Sequence, residues 1–553
     1  MSEGAARVPH VNHQMLRHLQ DTNTLVSFSS DFKKLPSNES RVTSVYNLME
    51  GCGMLPVVMQ DGKSNHRSDE MREMGNYAYK TKNARVSHEF YTKSLVYAEI
   101  GTDNVSLAYA NRSAVLFENG LYRECLKDIE MALKNNYPER LIPKLVVRKR
   151  KAQNLVSKQE PVDYLTPVPS IPPQDQNPLI QSASNSVRIE HSPTMGRHVV
   201  ATKTIEPGEI IAIEKSFCHV LIDQLYTHCH HCLKLCYTLF PCCNCTQALF
   251  CSETCQNEAN SAYHQYECPI LLTILSLELE HRLMHLRLTI LVRDWYSKLD
   301  QCKIKQGEIY RSDRYEEIRN LEANTAKRSV SDLFNRSVHC AALYHVLSSA
   351  TSFFKERDEQ FEKGFKELLL FHMQAGPCNF HEIAELKSSD GCVAKKEIGA
   401  AALPFLSMFN HSCCPNITRY GYGTTVIAVA IERINAGDQC FDNYGSHHAI
   451  TAKSERKDKL RKQYLFDCAC IACVNNYPLY QNLEKLYNAE YGLTWRELEM
   501  MQSGGLVSAK KVLKEMVRKI NMVCEFKPNK TLGELQEVLK QCLFIFETIK
   551  TPI

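Results

Sequence analysis

The chain lacks several things that would each point elsewhere. The first residues, MSEGAARVPHVNHQ, have no apolar core, so no signal peptide is expected. The longest apolar run, near Ile398 to Phe409, contains Pro404 and is far short of the roughly 18 residues a membrane span needs. No charge excess is present either: Lys plus Arg number 66 against 62 Asp plus Glu, a net +4. General nucleic-acid binders usually carry a strong basic excess, so direct nucleic-acid binding is not expected. What the chain has in abundance is cysteine, 24 residues in 553. With no secretory signal, clustered thiols point to metal rather than disulfides. A reducing compartment follows, cytoplasm or nucleus.

The length allows three or four domains. Residues 1–68 are polar and weakly periodic, and read as a loosely ordered arm with one helix. Residues 69–155 are helical. Tyr79, Tyr91, Leu95 and Tyr97 form one apolar set at helical spacing; Leu116, Tyr122, Leu126, Ile129 and Leu133 form a second. Aligning Gly75 with Ser113 makes two copies of one helix–turn–helix unit, close to the 34-residue period of a TPR. An unrelated pair of helical hairpins is the alternative. Arg148-Lys149-Arg150-Lys151 reads as a localisation signal or as a solvated helix face. Residues 156–185, rich in proline and polar residues, read as a linker that lets the N-terminal helices move.

Residues 229–268 hold four ligand pairs: Cys229 and Cys232, Cys242 and Cys245, Cys251 and Cys255, His264 and Cys268. Two-residue spacers let one turn offer two thiolates to a tetrahedral zinc, so eight ligands imply two ions. So short a segment cannot bury a core of its own, and the metal would supply its folding energy. Interleaved pairing is expected, with Cys229, Cys232, Cys251 and Cys255 on one ion and Cys242, Cys245, His264 and Cys268 on the other. Cys236, Cys243, His228, His230 and His231 fall off the spacing and read as bystanders. This order, with Phe250-Cys251-Ser252, resembles the MYND zinc module.

Two distant segments carry a second pattern. One is Met195-Gly196-Arg197-His198 followed by Glu206-Pro207-Gly208. The other is Asn410-His411-Ser412-Cys413-Cys414-Pro415-Asn416, a β segment at 424–430, Ala436-Gly437-Asp438 and Asn443-Tyr444-Gly445. Together they resemble a SET domain. Cys468, Cys470 and Cys473 follow, three ligands of an incomplete tetrahedral site. The whole order resembles the SET and MYND domain family of protein lysine methyltransferases, in its TPR-bearing subgroup.

The resemblance implies an α+β multidomain fold: TPR-like helices, then a β-rich SET core in two parts, 186–228 and 392–447. A MYND module at 229–268 and a helical insert at 269–391 would split that core. A post-SET zinc segment, 448–475, and a helical tail, 476–553, would follow. It implies S-adenosylmethionine and three zinc ions as cofactors, and transfer of a methyl group to a lysine of a protein substrate. Cys413 would complete the post-SET zinc site, with Cys414 its rival. Tyr444 matches the family's active-site tyrosine. Asn410 and His411 would hold the cofactor, with Thr194, Met195 and Gly196 touching it through backbone. Phe466 would pack on the adenine, Tyr464 would line the lysine channel, and Asn324 would add a contact from the insert. Partner peptides would bind the MYND and TPR-like surfaces. Three departures stand out: Leu403 where the family shows an aromatic, Cys440-Phe441-Asp442 before Tyr444, and Arg197. The tail is also short, which leaves one wall of the substrate cleft in doubt. An interaction scaffold or corepressor with a weakly active SET core is the rival reading. A DNA-binding cofactor is disfavoured by the balanced charge.

Overall fold

A computed structural model describes residues 8–157, 168–304, 307–389, 392–486, 490, 492–502 and 506–547. The chain begins with three helices, α1 (Val8–Asp21), α2 (Leu25–Lys34) and α3 (Asn38–Gly51). Ser37 caps α3, accepting from the Ser40 amide in a capping box. Val11, Met15, Phe32, Val42, Val45 and Met49 are buried in the largest core of the molecule. This corrects the expectation of a loosely ordered arm. These apolar residues recur at three- and four-residue steps inside an otherwise polar stretch, and helices of the insert cover them.

Five helices follow: α4 (Asn65–Lys80), α5 (Ala84–Tyr97), α6 (Asp103–Glu118), α7 (Tyr122–Lys134) and α8 (Ile142–Val156). Neighbours pack as antiparallel hairpins. Gly75 sits where α4 crosses α5, and a Cβ there would lie 2.6 Å from the Tyr91 ring. Arg112 is fully buried between α6 and α7 and pairs with Asp128 at 2.7 Å. Of the basic run in α8, Arg148 bonds the Ala110 carbonyl and the Ser113 hydroxyl, so it serves helix packing.

Residues 158–167 of the expected linker lie outside the described residues. The remainder is not free. Asn177 donates to the Ser184 and Val187 carbonyls, and Ile180 and Ala183 are buried in the β core. Proline and polar composition hides two apolar anchors.

The β core is three small sheets. β1 (Val187–Ser192) pairs with β2 (Gly196–Ala201). β3 (Ile210–Lys215) and β4 (Cys218–Leu221) precede the Cys/His-rich module, which holds β5 (Phe240–Pro241), β6 (Leu249–Phe250), α9 (Glu253–Ala259) and α10 (Gln265–Glu267). The helical insert runs through α11 (Leu271–Ser276), α12 (Leu283–Leu291), α13 (Tyr315–Arg319), α14 (Val330–Ala350) and α15 (Glu359–Asn379). The helical pattern of the insert reads to about 375, with 391 as the insert's bound. Within that bound the chain turns at Phe380 into β7 (Phe380–Ser389), which pairs antiparallel with β8 (Cys392–Ala402). β8 also pairs with β4, giving the order β4-β8-β7. The third sheet is β3-β10-β9, from β9 (Ile417–Tyr422) and β10 (Thr425–Ala430). Glu214 of β3, fully buried, accepts from the Phe405 and Leu406 amides at 2.8 Å each and so fixes the turn leading to the 409–416 segment.

After the sheets come α16 (Lys453–Tyr464), α17 (Ile471–Val474), α18 (Trp495–Gln502), α19 (Leu506–Val523) and α20 (Lys530–Glu547). Val512, Met516 and Ile520 of α19 and Leu535 and Leu539 of α20 pack on Tyr420, Ile427 and Val429 of the third sheet. α20 contributes a wall to the cleft described below. No described helix is long and apolar enough to cross a membrane.

Candidate active site and metal centres

The 409–416 and 439–444 segments are stitched side by side. The Asp442 amide donates to the Asn410 carbonyl at 2.9 Å, and the Ser412 amide to the Asp442 carbonyl at 2.8 Å. The Asn416 side chain donates to the Gln439 carbonyl and accepts from the Phe441 amide. Asn443 reaches back to the Ser412 carbonyl at 2.9 Å. Two stretches 30 residues apart thus become one rigid element, with β2 beside it. The Asn410 amide donates to the Met195 carbonyl at 3.1 Å and to Gln439 at 3.0 Å. Thr194 and Met195 form an exposed turn, and Gly196 follows at φ +65°, a value that suits glycine, with open space where a Cβ would stand.

His411 is buried. Its Nδ1 accepts from the Tyr444 amide at 3.0 Å, so that nitrogen carries no proton. Burial lowers the ring to about pKa 4, which keeps it neutral. Tyr444 donates its hydroxyl to the Phe409 carbonyl at 2.8 Å. Burial, with the Asp442 carboxylate and Tyr464 nearby, holds the phenol well above its ordinary range. The hydroxyl is therefore protonated at neutral pH in this arrangement. The Tyr464 ring lies 4.7 Å from Tyr444, and Phe466 lies 6.2 Å from His411. Asn324, buried and at φ +54°, donates to the Tyr464 carbonyl at 3.4 Å. In this arrangement it ties the insert to the segment carrying both aromatics.

Two of the sequence departures find partners. Arg197 bonds Glu317 at 3.1 Å and the Asn320 carbonyl at 3.0 Å, clamping β2 to α13. Asp442 pairs with Arg419 at 2.6 Å. Arg419 gave no signal in the sequence, because an ion pair across two strands has no local spacing. Leu403 is fully buried in the β core.

The structure gathers the cysteines into three sets. Their ligand atoms lie within 4.8 Å of one another: Cys229, Cys232, Cys251 and Cys255; Cys242, Cys245, His264 and Cys268; Cys413, Cys468, Cys470 and Cys473. Individual Sγ···Sγ separations are 3.6 Å for Cys232–Cys251, 3.7 Å for Cys242–Cys268 and 3.7 Å for Cys413–Cys473. A tetrahedron with zinc–sulfur bonds of about 2.3 Å has edges of about 3.8 Å. These separations fit a metal and are far too long for disulfides. Each set could hold one zinc ion. Cys414 lies outside the third set and faces Glu432 and Lys527 instead. Buried Arg456 donates to Cys473 Sγ at 3.8 Å, offsetting the negative charge of four thiolates. His230, His264 and Glu267 also lie close together, but Arg287 bonds both His230 and Glu267, and its charge leaves no place for a cation. Among the other bystanders, His228 pairs with Glu385 and His231 with Glu258, while Cys243 is exposed.

A cleft of about 760 Å³ opens beside this site. His381, Arg419, Asp442, Ile450, Tyr480 and Glu534 are among its lining residues. It runs between β7, β9 and α20 and reaches Asn443, next to Tyr444.

The SET domain family model matches residues 196–445, the stretch that carries this site. The chain is 27% identical over 505 residues to protein-lysine N-methyltransferase SMYD4 of Danio rerio, covering 74% of this chain and 66% of that protein. It is 27% identical over 544 residues to SMYD4 of Homo sapiens, covering 74% and 67%. N-lysine methyltransferase SMYD2 of Homo sapiens is 26% identical over 285 residues, covering 51% and 59%. The chain is thus similar to the SMYD4 proteins over about three quarters of its length. It spans about 66% of the length of the curated SMYD4 relative from Danio rerio. A solved SET domain of LSMT bound to lysine and AdoHcy superposes loosely, with a TM-score of 0.23 at 11% identity, covering 66% of this chain and 85% of that one.

Proposed function

We propose that the chain transfers a methyl group from S-adenosylmethionine to a lysine of a protein substrate, histone or non-histone. The observation that carries this is the convergence of Asn410, His411, Tyr444, Tyr464 and Phe466, from three stretches of the chain, in one aromatic cluster. Its chemistry suits the cofactor: carbonyls and aromatic faces for a sulfonium cation, and the flat Phe466 ring for adenine. When bound, S-adenosylmethionine supplies the methyl group. Met195, Asn410 and His411 would hold it, with Thr194 and Gly196 shaping the entrance and Asn324 bracing the far wall.

The chain's own task is to present a neutral amine. A lysine in water has a pKa of about 10.4 and is mostly protonated. Confinement beside the Tyr444 and Tyr464 rings would disfavour the charged form. The protonated Tyr444 hydroxyl orients the amine and does not take its proton. The cleft beside Asn443 would seat the residues flanking the target lysine. The three Cys/His sets would bind zinc, the third fixing Tyr464 and Phe466 over the site. We read the 229–268 module as MYND, and helices α4–α8 as TPR-like repeats that take partner peptides. The proposed compartments are cytoplasm and nucleus, where thiolates survive.

The test is radiolabelled methyl transfer onto a protein array. Tyr444→Phe keeps the ring and removes one positioned oxygen. Activity should fall on the order of tenfold to a thousandfold. A variant as active as wild type would remove Tyr444 from the catalytic role.

A further inference from the structure

Residues 235–241 form a loop of the Cys/His module: Leu235, Cys236 and Phe240–Pro241 stay bonded within the module, and Tyr237–Leu239 between them lie against α5 and α6. Two buried side chains read its main chain. His88 Nε2 donates to the Tyr237 carbonyl at 2.8 Å, and Arg112 donates to the Leu239 carbonyl at 2.9 Å. The two carbonyls are two residues apart, on either side of Thr238, in a turn at Tyr237–Thr238. Leu235 and Tyr237 enter the apolar cluster formed by Leu95, Ala108, Tyr109 and Leu116. Tyr237 meets His88 edge-on at 5.3 Å. Arg112 is held for this task by Asp128, at 2.7 and 2.8 Å, and by Thr92 at 3.2 Å. Recognition through carbonyls and one aromatic pocket tolerates different sequences.

The segment is tethered at both ends. Cys232 belongs to the first ligand set and Cys242 to the second. The second set is also where the chain between α3 and α4 attaches. Lys63 donates to the Cys242 and Cys245 carbonyls at 2.7 and 3.1 Å, and Asp61 accepts from the Thr246 amide at 2.7 Å. Metal at both sets would hold a short loop at high effective concentration against the helices. Without it, the loop must be ordered at the cost of chain entropy.

We propose that the α5–α6 face is a binding surface for a short peptide turn, occupied in the zinc-loaded protein by the chain's own segment 235–241. Loss of zinc, or displacement of that segment, opens the face to a partner peptide that offers two main-chain carbonyls and an aromatic side chain. This rests on the partner-binding part of the proposed function and is independent of methyl transfer.

The probe is a fluorescein-labelled peptide of residues 233–241 carrying Cys236→Ser, titrated by anisotropy into the full chain. Zinc-loaded wild type should bind it at least tenfold more weakly than two other forms. One is the chain stripped by a chelator. The other is zinc-loaded Tyr237→Ser, which weakens the resident loop without touching a ligand. Adding His88→Ala to the Tyr237→Ser chain should abolish binding. Equal binding to zinc-loaded wild type would show that the face is not held shut. Failure to bind either opened form would show that the face is no peptide site. The two routes guard each other: a misfolded Tyr237→Ser chain leaves the stripped wild type to decide, and the reverse.

Discussion

Removing residues 1–51 should collapse the helical insert. The seven side chains Val11, Met15, Leu19, Phe32, Val42, Val45 and Met49 are each at most 4% exposed. Each contributes about 1.5–3 kcal/mol by burial, so their loss is on the order of 10 kcal/mol. That is comparable with the whole stability of an ordinary domain, about 5–15 kcal/mol. The polar ties go with them. Asn12 bonds Asn335 at 3.0 Å, Gln374 bonds Asn38 at 2.9 Å, and the Glu39 amide bonds Glu367 at 3.0 Å. Deletion also uncovers Phe334, on which Phe28 and Phe32 pack edge-on at 5.7 and 5.9 Å. Residues 52–553 should therefore be insoluble, bind a hydrophobic dye, or melt more than about 15 °C below the full chain. Phe32→Ala alone should cost about 3–5 kcal/mol. A 52–553 fragment that melts with the full chain would refute the packing argument. The same reasoning withdraws the idea of a mobile N-terminal unit, since α5 and α6 hold the 235–241 loop as well.

Metal analysis of the purified chain should give three zinc ions, and Cys470→Ala should give two; two in wild type would undo the post-SET assignment. Burial raises Glu214 to about pKa 7, against an ordinary value of 4.5. Between those values the folded state binds more protons than the unfolded one, so stability should fall as pH rises from about 5 to 7. The difference amounts to about 3 kcal/mol. Chemical denaturation of Glu214→Gln should start from a lower stability but show a flatter profile over that range; an unchanged slope would assign the pH dependence elsewhere.

The metal sets were legible because zinc fixes ligand spacing within a turn, and spacing is what a sequence preserves. His264 and Cys468 could be placed with no knowledge of the fold. The Asn410–Asn416 string was legible as a resemblance, but its reason was not. Its stitching to 439–444 is main-chain bonding, which leaves no residue signature. The α1–α3 stripe was lost in polar surroundings, since its partners Phe334 and Tyr344 lie some 300 residues away. β7 escaped because His381, Glu382 and Glu385 break the apolar alternation that marks a strand. Arg419, Lys63 and Glu214 each answer to a partner distant in sequence.

The proposed role of the stitched Asn410–Tyr444 element is to hold the cofactor. Calorimetric titration of the zinc-loaded full chain with S-adenosylmethionine tests it most directly, with His411→Ala beside wild type. His411 accepts the Tyr444 amide and lies under Phe466, so its loss should weaken cofactor binding by tenfold or more, while Tyr444→Phe should leave binding nearly unchanged. Saturable one-to-one heat in wild type, lost in His411→Ala, is the predicted result. No heat in folded, zinc-loaded wild type would contradict the account and leave the chain an interaction scaffold.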